Sequence, residues 1–148
     1  TLNIRNAMFT LIDEGVVPVI NENDSVSVDE IKIGDNDTLA ALTATLWNAD
    51  LMIILSDIDG VFDSDPKSNS NAKLIETVGN AEKLFGSIDI GGTSSFGTGG
   101  ISSKIEAAAK VNQYGIPMIL LNGKKTDIIR NCITGTSKGT LFTGRIEK

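Results

Sequence analysis

One part of the sequence has residue types that suggest ligand binding. It is rich in glycine and leads into a predicted helix. It runs from Gly97 to Lys104 and has the order Gly-Thr-Gly-Gly-Ile-Ser-Ser-Lys. Glycines let the backbone come close to a ligand, and the free N–H groups at the start of a helix attract phosphate oxygens. The order differs from a Walker A loop, because Ser103 occupies the position before the lysine where that motif has glycine. The stretch therefore predicts either a phosphate-binding loop with Lys104 as its cation or a flexible linker with a solvated lysine.

Two aspartates follow a strand-like run and suggest a second kind of chemistry. Residues 53–55 are Ile-Ile-Leu, Asp57 directly follows Ser56, and Asp59 comes two residues after Asp57. This order occurs in phosphatases of the haloacid dehalogenase type, where the first aspartate attacks phosphate next to Mg²⁺. That chemistry also needs a hydroxyl residue after a later strand and a downstream acidic pair, and the sequence has neither at the end of residues 117–121. The pattern therefore favours a strand-end turn, in which both aspartates accept hydrogen bonds from the backbone.

Two short loops rich in carboxylates and amides form the third candidate. Residues 21–24 are Asn-Glu-Asn-Asp, and residues 34–37 are Gly-Asp-Asn-Asp. Such side chains at strand ends can hold the ammonium and carboxylate groups of an amino acid. The same residue types also form Asx turns and helix N-caps, which is the favoured interpretation for Asp35 taken alone. The spacing does not match a regular calcium-binding loop.

Composition narrows the classes of function that these residues can serve. The 148 residues carry a net charge of −6, and 41% of them are hydrophobic, so a globular domain without a broad nucleic-acid-binding surface is expected. The chain has no His, which excludes His-based acid–base catalysis by this chain. The longest apolar run, residues 116–121, is far shorter than a membrane helix, so no membrane partner is expected. The lone Cys132 fits a reducing compartment, and we expect a cytoplasmic location.

Apolar periodicity alternates between strand-like and helix-like segments along the chain. We predict helices over residues 2–13, 37–47, 81–85 and 102–113, and a short helix that ends at Cys132. Gly15 would close the first helix, and Thr126 would cap the last. We predict strands over residues 16–20, 51–55, 74–78, 117–121 and 139–142. Within the 37–47 helix, the predicted core stripe is Leu39, Leu42, Leu46 and Trp47. Apolar strands alternating with helices predict an α/β fold with a mainly parallel sheet, which binds ligands at the carboxyl ends of its strands.

In order and spacing, these motifs resemble the amino acid kinase family, and within it the members that phosphorylate glutamate. The resemblance rests on residues 17–24, 34–37, 55–57, 60–62, 65–66, 97–104 and 139–142. It implies a three-layer α/β/α sandwich. It also implies ATP-dependent phosphorylation of the side-chain carboxylate of L-glutamate, giving glutamyl 5-phosphate at the start of proline synthesis. The family often forms homo-oligomers and is often inhibited by proline, and its chemistry uses ATP with Mg²⁺.

The resemblance also implies roles for individual residues, although it names no metal ligand. Lys104, Asp35 and Asp37 would organise the transfer, and Asp24 and Asn36 would bind glutamate. The residues implied to bind ATP are Ser56, Asp57, Thr98, Gly99, Gly100, Ile101, Ser102, Ser103 and Lys104. Ser56 replaces the more usual threonine and keeps its hydroxyl.

The family's N-terminal strand, with its phosphate-binding lysine, has no match in this sequence. Residues 1–148 are therefore expected to be the C-terminal portion of a single kinase domain, with no further domain after it. Two alternatives remain open. The chain could belong to another acyl or nucleotide kinase of the same family, or it could be an inactive fragment that binds a nucleotide or an amino acid.

Overall fold

A computed structural model describes residues 2–21, 36–90 and 100–144. Within these ranges the helices are α1 (Leu2–Asp13), α2 (Asn36–Trp47), α3 (Ala81–Ile90), α4 (Gly100–Asn112) and α5 (Ile128–Ile133). The strands are β1 (Met52–Ser56), β2 (Thr77–Val78), β3 (Met118–Asn122) and β4 (Thr140–Phe142). In the described ranges, no helix is both long enough and apolar enough to cross a membrane.

The four strands form one mixed sheet in the order β1-β3-β4-β2. β1 is parallel to β3, with Ser56 opposite Asn122, and β2 is parallel to β4. β3 and β4 are antiparallel. Two of the three pairings are therefore parallel, which agrees with the predicted α/β fold and its mainly parallel sheet.

The core lies between one face of the sheet and the helices α2, α3 and α4. Met52 and Ile54 of β1 and Met118 and Leu120 of β3 point to this face and share a core cluster with the fully buried Ile105 of α4. Alternate strand residues point to opposite faces of a sheet. Leu121, which is also fully buried, therefore faces the other side, where α5 packs on β3. Helices cover both faces at β3, as the predicted three-layer arrangement requires.

Short connections fix the direction of the two helices that matter for the site. α2 ends at Trp47 and the chain enters β1 at Met52, while α4 ends at Asn112 and the chain enters β3 at Met118. Each helix packs on the strand that follows it, so each runs antiparallel to that strand. The N-termini of α2 and α4 therefore lie near the C-terminal ends of β1 and β3. We call this end of the two strands the rim.

Turn chemistry at the C-terminus of α4 explains why this helix ends where the sequence predicts. Gly115 has φ +75°, a left-handed conformation that glycine adopts without steric cost. The Ile116 N–H donates to the Val111 carbonyl and the Gly115 N–H to the Asn112 carbonyl, which satisfies the last carbonyls of the helix. The chain is then aimed at the sheet.

Three predictions about local structure were wrong. Residues 16–20 are not a buried strand, because no described strand pairs with them and Val17 and Val19 are 84% and 95% exposed. The buried residues of α2 are Ala41 and Ala44 rather than the predicted leucines, and Leu42 is exposed. Small side chains let α2 pack closely on α4. Thr126 does not cap α5, whose N-cap position is held by Asp127 in a left-handed conformation.

Candidate active site

An ion pair joins the N-termini of α2 and α4 at the rim. The Lys104 Nζ lies 3.1 Å from Asp37 Oδ2, and the two side chains are only 16% and 18% exposed. Asp37 belongs to the first turn of α2, where the helix N-terminus stabilises a negative charge. Lys104 is the fifth residue of α4, and its largely buried ammonium is costly to keep without an anionic partner. Asp37 is one such partner, which excludes the interpretation of Lys104 as a freely solvated lysine.

Ser103 donates a hydrogen bond to the same carboxylate oxygen. Its Oγ lies 2.7 Å from Asp37 Oδ2 and 3.2 Å from the Gly100 carbonyl oxygen. Two consecutive residues of α4 therefore converge on one atom of α2. The sequence separates these residues by 66 positions, so only the tertiary fold brings them together.

The ends of β1 and β3 provide the next part of the rim. Ser56 pairs with Asn122, and the Gly123 N–H donates to the Ser56 carbonyl oxygen at 2.8 Å. A Cβ at Gly123 would lie 3.1 Å from the Leu55 Cβ, so glycine permits this close approach of the two strand ends. The Ser56 hydroxyl lies 3.4 Å from Asp57 Oδ1, and the Asp57 side chain is exposed at the rim.

A second lysine–carboxylate pair lies beside these strand ends. Asp59 Oδ1 accepts hydrogen bonds from Lys125 Nζ at 2.7 Å and from Asn122 Nδ2 at 2.9 Å. The Lys125 ammonium and then the Asn122 amide hold the pKa of Asp59 below its usual value. Asn122 Oδ1 in turn accepts from the backbone N–H of Lys124, which fixes the loop after β3. The sequence did not indicate this cluster, because nothing in it distinguishes Lys125 from the adjacent Lys124. Only the fold shows that Lys125 pairs with Asp59.

The rim brings together several of the predicted site residues. Asn36 and Asp37 are at the start of α2, Ser103 and Lys104 are at the start of α4, and Ser56 and Asp57 are at the end of β1. The Ile101 side chain is buried in the core, so only its backbone is available to a ligand. Asp24, Asp35, Thr98 and Gly99 lie outside the described residues.

A cavity beside α2 is lined by one described residue from each of the two loops rich in carboxylates and amides. Its volume is about 460 Å³, and its lining includes Asn21, Asn36, Thr43 and Trp47. Asn21 and Asn36, which are described residues of those two loops, thus line one cavity. A cavity of about 600 Å³ between α3 and α4 contains Asn112 near the opposite end of α4 and none of the predicted site residues.

Comparison with known proteins identifies the family. Residues 1–122 match the model of the amino acid kinase family. The chain belongs to the amino acid kinase family. Glutamate 5-kinase of Alkaliphilus metalliredigens is 61% identical over 141 residues, which cover 95% of this chain and 53% of that protein. Glutamate 5-kinase of Alkaliphilus oremlandii is 60% identical over 141 residues, which cover 95% of this chain and 54% of that protein.

Solved structures confirm the amino acid kinase fold. The UMP kinase of Bacillus anthracis superposes with a TM-score of 0.65 at 19% identity, over 95% of this chain and 51% of that chain. The chain spans about half the length of the curated relatives that it matches. The resemblance seen in the sequence and the α/β fold that it implied are therefore confirmed.

Proposed function

We propose that the protein containing this chain is a glutamate 5-kinase, which transfers the γ-phosphoryl group of ATP to the side-chain carboxylate of L-glutamate. The observation that carries the proposal is the Asp37–Lys104 pair at the meeting point of two helix N-termini. Identities of 61% and 60% to glutamate 5-kinases support the choice of substrate. Proline feedback, homo-oligomer formation and a cytoplasmic location follow from the same resemblance and belong to the proposal.

The chemistry suits a site without histidine. A glutamate side chain has a pKa of about 4.3, so the attacking carboxylate is already ionised near neutral pH and needs no general base. Phosphoryl transfer to such a group depends on aligning the reactants and stabilising the developing charge. In the proposal, Lys104 and the N–H groups at the start of α4 stabilise charge on the transferred phosphoryl group.

Each substrate has its own part of the rim. In the proposal, Asp24 and Asn36 bind glutamate next to the cavity beside α2, with Asp35 and Asp37 organising this region. Ser56 and Asp57 contact the nucleotide at the end of β1, and residues 98–104, which include the start of α4, bind its phosphates. Both substrates would then meet at the Asp37–Lys104 pair.

Magnesium enters the proposal together with ATP. Proteins usually hold Mg²⁺ through one or two carboxylates and the phosphates of the nucleotide. Asp37 and Asp59 are paired with lysines, whereas Asp57 is exposed and makes no ion pair within the described ranges. Asp57 therefore fits as a magnesium-holding carboxylate, and the bound ion would neutralise charge on the phosphates.

A nucleoside monophosphate kinase of the same fold is the second candidate, since the UMP kinase shares this architecture. A nucleotide acceptor would need cations near the acceptor loops. Residues 21–37 contain Lys32 as their single cation against six acidic residues. An inactive binding module would bind ATP or glutamate without turnover.

Acyl phosphate formation tests the proposal directly. The full-length protein is incubated with ATP, Mg²⁺, glutamate and hydroxylamine, which converts glutamyl phosphate to a hydroxamate that gives a coloured complex when iron(III) chloride is added. Hydroxamate that requires both ATP and glutamate supports the proposal. Phosphorylation of UMP without hydroxamate would indicate a nucleotide kinase, and ligand binding without either product would indicate a binding module.

A further inference from the structure

We propose that Ser103 is a positioning residue for phosphoryl transfer, whose hydroxyl holds Asp37 in place when Lys104 turns from that carboxylate to the phosphates. The inference rests on the proposed function. It starts from one observation: the Ser103 hydroxyl and the Lys104 ammonium both donate to Asp37 Oδ2, at 2.7 and 3.1 Å. The resemblance had placed Ser103 with the residues that bind ATP.

The carboxylate needs a second donor because its first donor has another task. Lys104 is the cation near the start of α4, and the polyphosphate of ATP carries more negative charge than one aspartate. When the ammonium moves toward the phosphates, Asp37 keeps a largely shielded carboxylate that is costly to leave without a donor. Within the described ranges, the other donor to Oδ2 is Ser103. Its hydroxyl keeps the carboxylate from following Lys104 or competing for it.

The direction of the Ser103 hydrogen bond separates this role from nucleotide binding. A hydroxyl has one hydrogen to donate, and of the two acceptors near the Ser103 Oγ, Asp37 Oδ2 at 2.7 Å is closer than the Gly100 carbonyl at 3.2 Å. Consecutive helical residues point about 100° apart and do not normally face one partner. Ser103 and Lys104 share Asp37 as a partner because this side chain belongs to the neighbouring helix α2.

Four variants of the full-length protein test the inference in the hydroxamate assay: Ser103→Ala, Ser103→Thr, Asp37→Ala and the double variant Ser103→Ala/Asp37→Ala. We expect Ser103→Ala to lower kcat by about 10- to 100-fold, the effect of losing a hydrogen bond to a charged group, with the KM for ATP changed less than about threefold. Ser103→Thr keeps the hydroxyl and should retain kcat within about threefold. In the Asp37→Ala background, Ser103→Ala should have no further effect, because the residue through which Ser103 acts is gone.

Three results would overturn the inference while leaving the proposed function intact. These are an unchanged kcat for Ser103→Ala, a rise in the ATP KM as its main effect, and additive losses in the double variant. If the unsubstituted protein makes no hydroxamate, the proposed function fails and the inference fails with it. If Ser103→Ala does not fold, Ser103→Cys replaces it. The thiol is a weak donor of similar size, so kcat should fall for Cys and persist for Thr, and equal rates would refute the role.

Discussion

Removal of the Lys104 ammonium is the perturbation with the largest expected effect on turnover. The side chains of Lys104 and Asp37 are 16% and 18% exposed, so the site is shielded from water. At an effective dielectric constant of about 20, one unit charge at 4 Å contributes about 4 kcal/mol. Since about 1.4 kcal/mol corresponds to a factor of ten in rate, Lys104→Ala should lower kcat by about a thousandfold.

The assay compares this variant with a lysine on the same helix that is far from the rim. Lys110 pairs with Glu106 at 3.3 Å, and both side chains are more than 40% exposed. Such surface pairs contribute at most about 1 kcal/mol, so Lys110→Ala should retain hydroxamate formation. Lys110→Ala should show an unfolding transition close to that of the unsubstituted protein, whereas Lys104→Ala should be less stable but remain folded under the assay conditions, since Ser103 still donates to Asp37. Turnover of Lys104→Ala within threefold of normal would refute the assignment of Lys104 to phosphoryl transfer.

Three other substitutions test separate parts of the account. Asp24→Ala should raise the KM for glutamate much more than the KM for ATP in steady-state kinetics. Asp59→Asn should reduce, by a small amount, the loss of stability at acidic pH in pH-dependent unfolding. Because the pKa of Asp59 is lowered in the folded protein, its ionised form stabilises the fold at pH values above the usual pKa of about 3.9. This contribution is at most about 1 kcal/mol, and it is lost as the pH falls through the pKa of Asp59 in the folded protein. Gly60→Ala should lower the free energy of unfolding by about 1–3 kcal/mol, because Gly60 has φ +148° and an added Cβ would lie 2.5 Å from Thr140 Oγ1.

For each of these substitutions, a specific result would contradict the prediction. Equal changes in both KM values would remove Asp24 from the glutamate site. An acid transition that is the same in Asp59→Asn and the unsubstituted protein would show that the pair with Lys125 does not contribute. Gly79→Ala is the control for Gly60→Ala, since nothing lies within 4 Å of a Cβ at Gly79. Equal stability of the two variants would contradict the close approach at Gly60.

Local patterns predicted the elements that depend on local physics. The glycines before α4 and the Tyr114-Gly115 turn after it bound that helix closely, because helix starts and left-handed stops are encoded by neighbouring residues. The apolar runs of β1 and β3 were found because both strands contribute buried side chains to the core cluster. The order of the motifs also placed Asp37 and Lys104 in one family site before any distance was known.

Tertiary contacts decided what local patterns could not. Residues 16–20 have the composition of a buried strand, but a strand also requires a hydrogen-bonded partner, and none lies beside them among the described residues. Ala41 and Ala44 rather than Leu42 face the core because α4 packs closely on α2. The contacts of Asp37 with Ser103 and of Asp59 with Lys125 join distant parts of the chain, so spacing in the sequence could not indicate them.

The location of bound nucleotide is the measurement that bears most directly on the central claim. A crystal structure of the full-length protein with a non-hydrolysable ATP analogue, Mg²⁺ and glutamate would show both ligands. We expect the γ-phosphate within about 3 Å of Lys104 Nζ, with the glutamate side-chain carboxylate in line with it at the N-terminus of α2. Nucleotide bound at the other end of the strands, away from Lys104, would contradict the account.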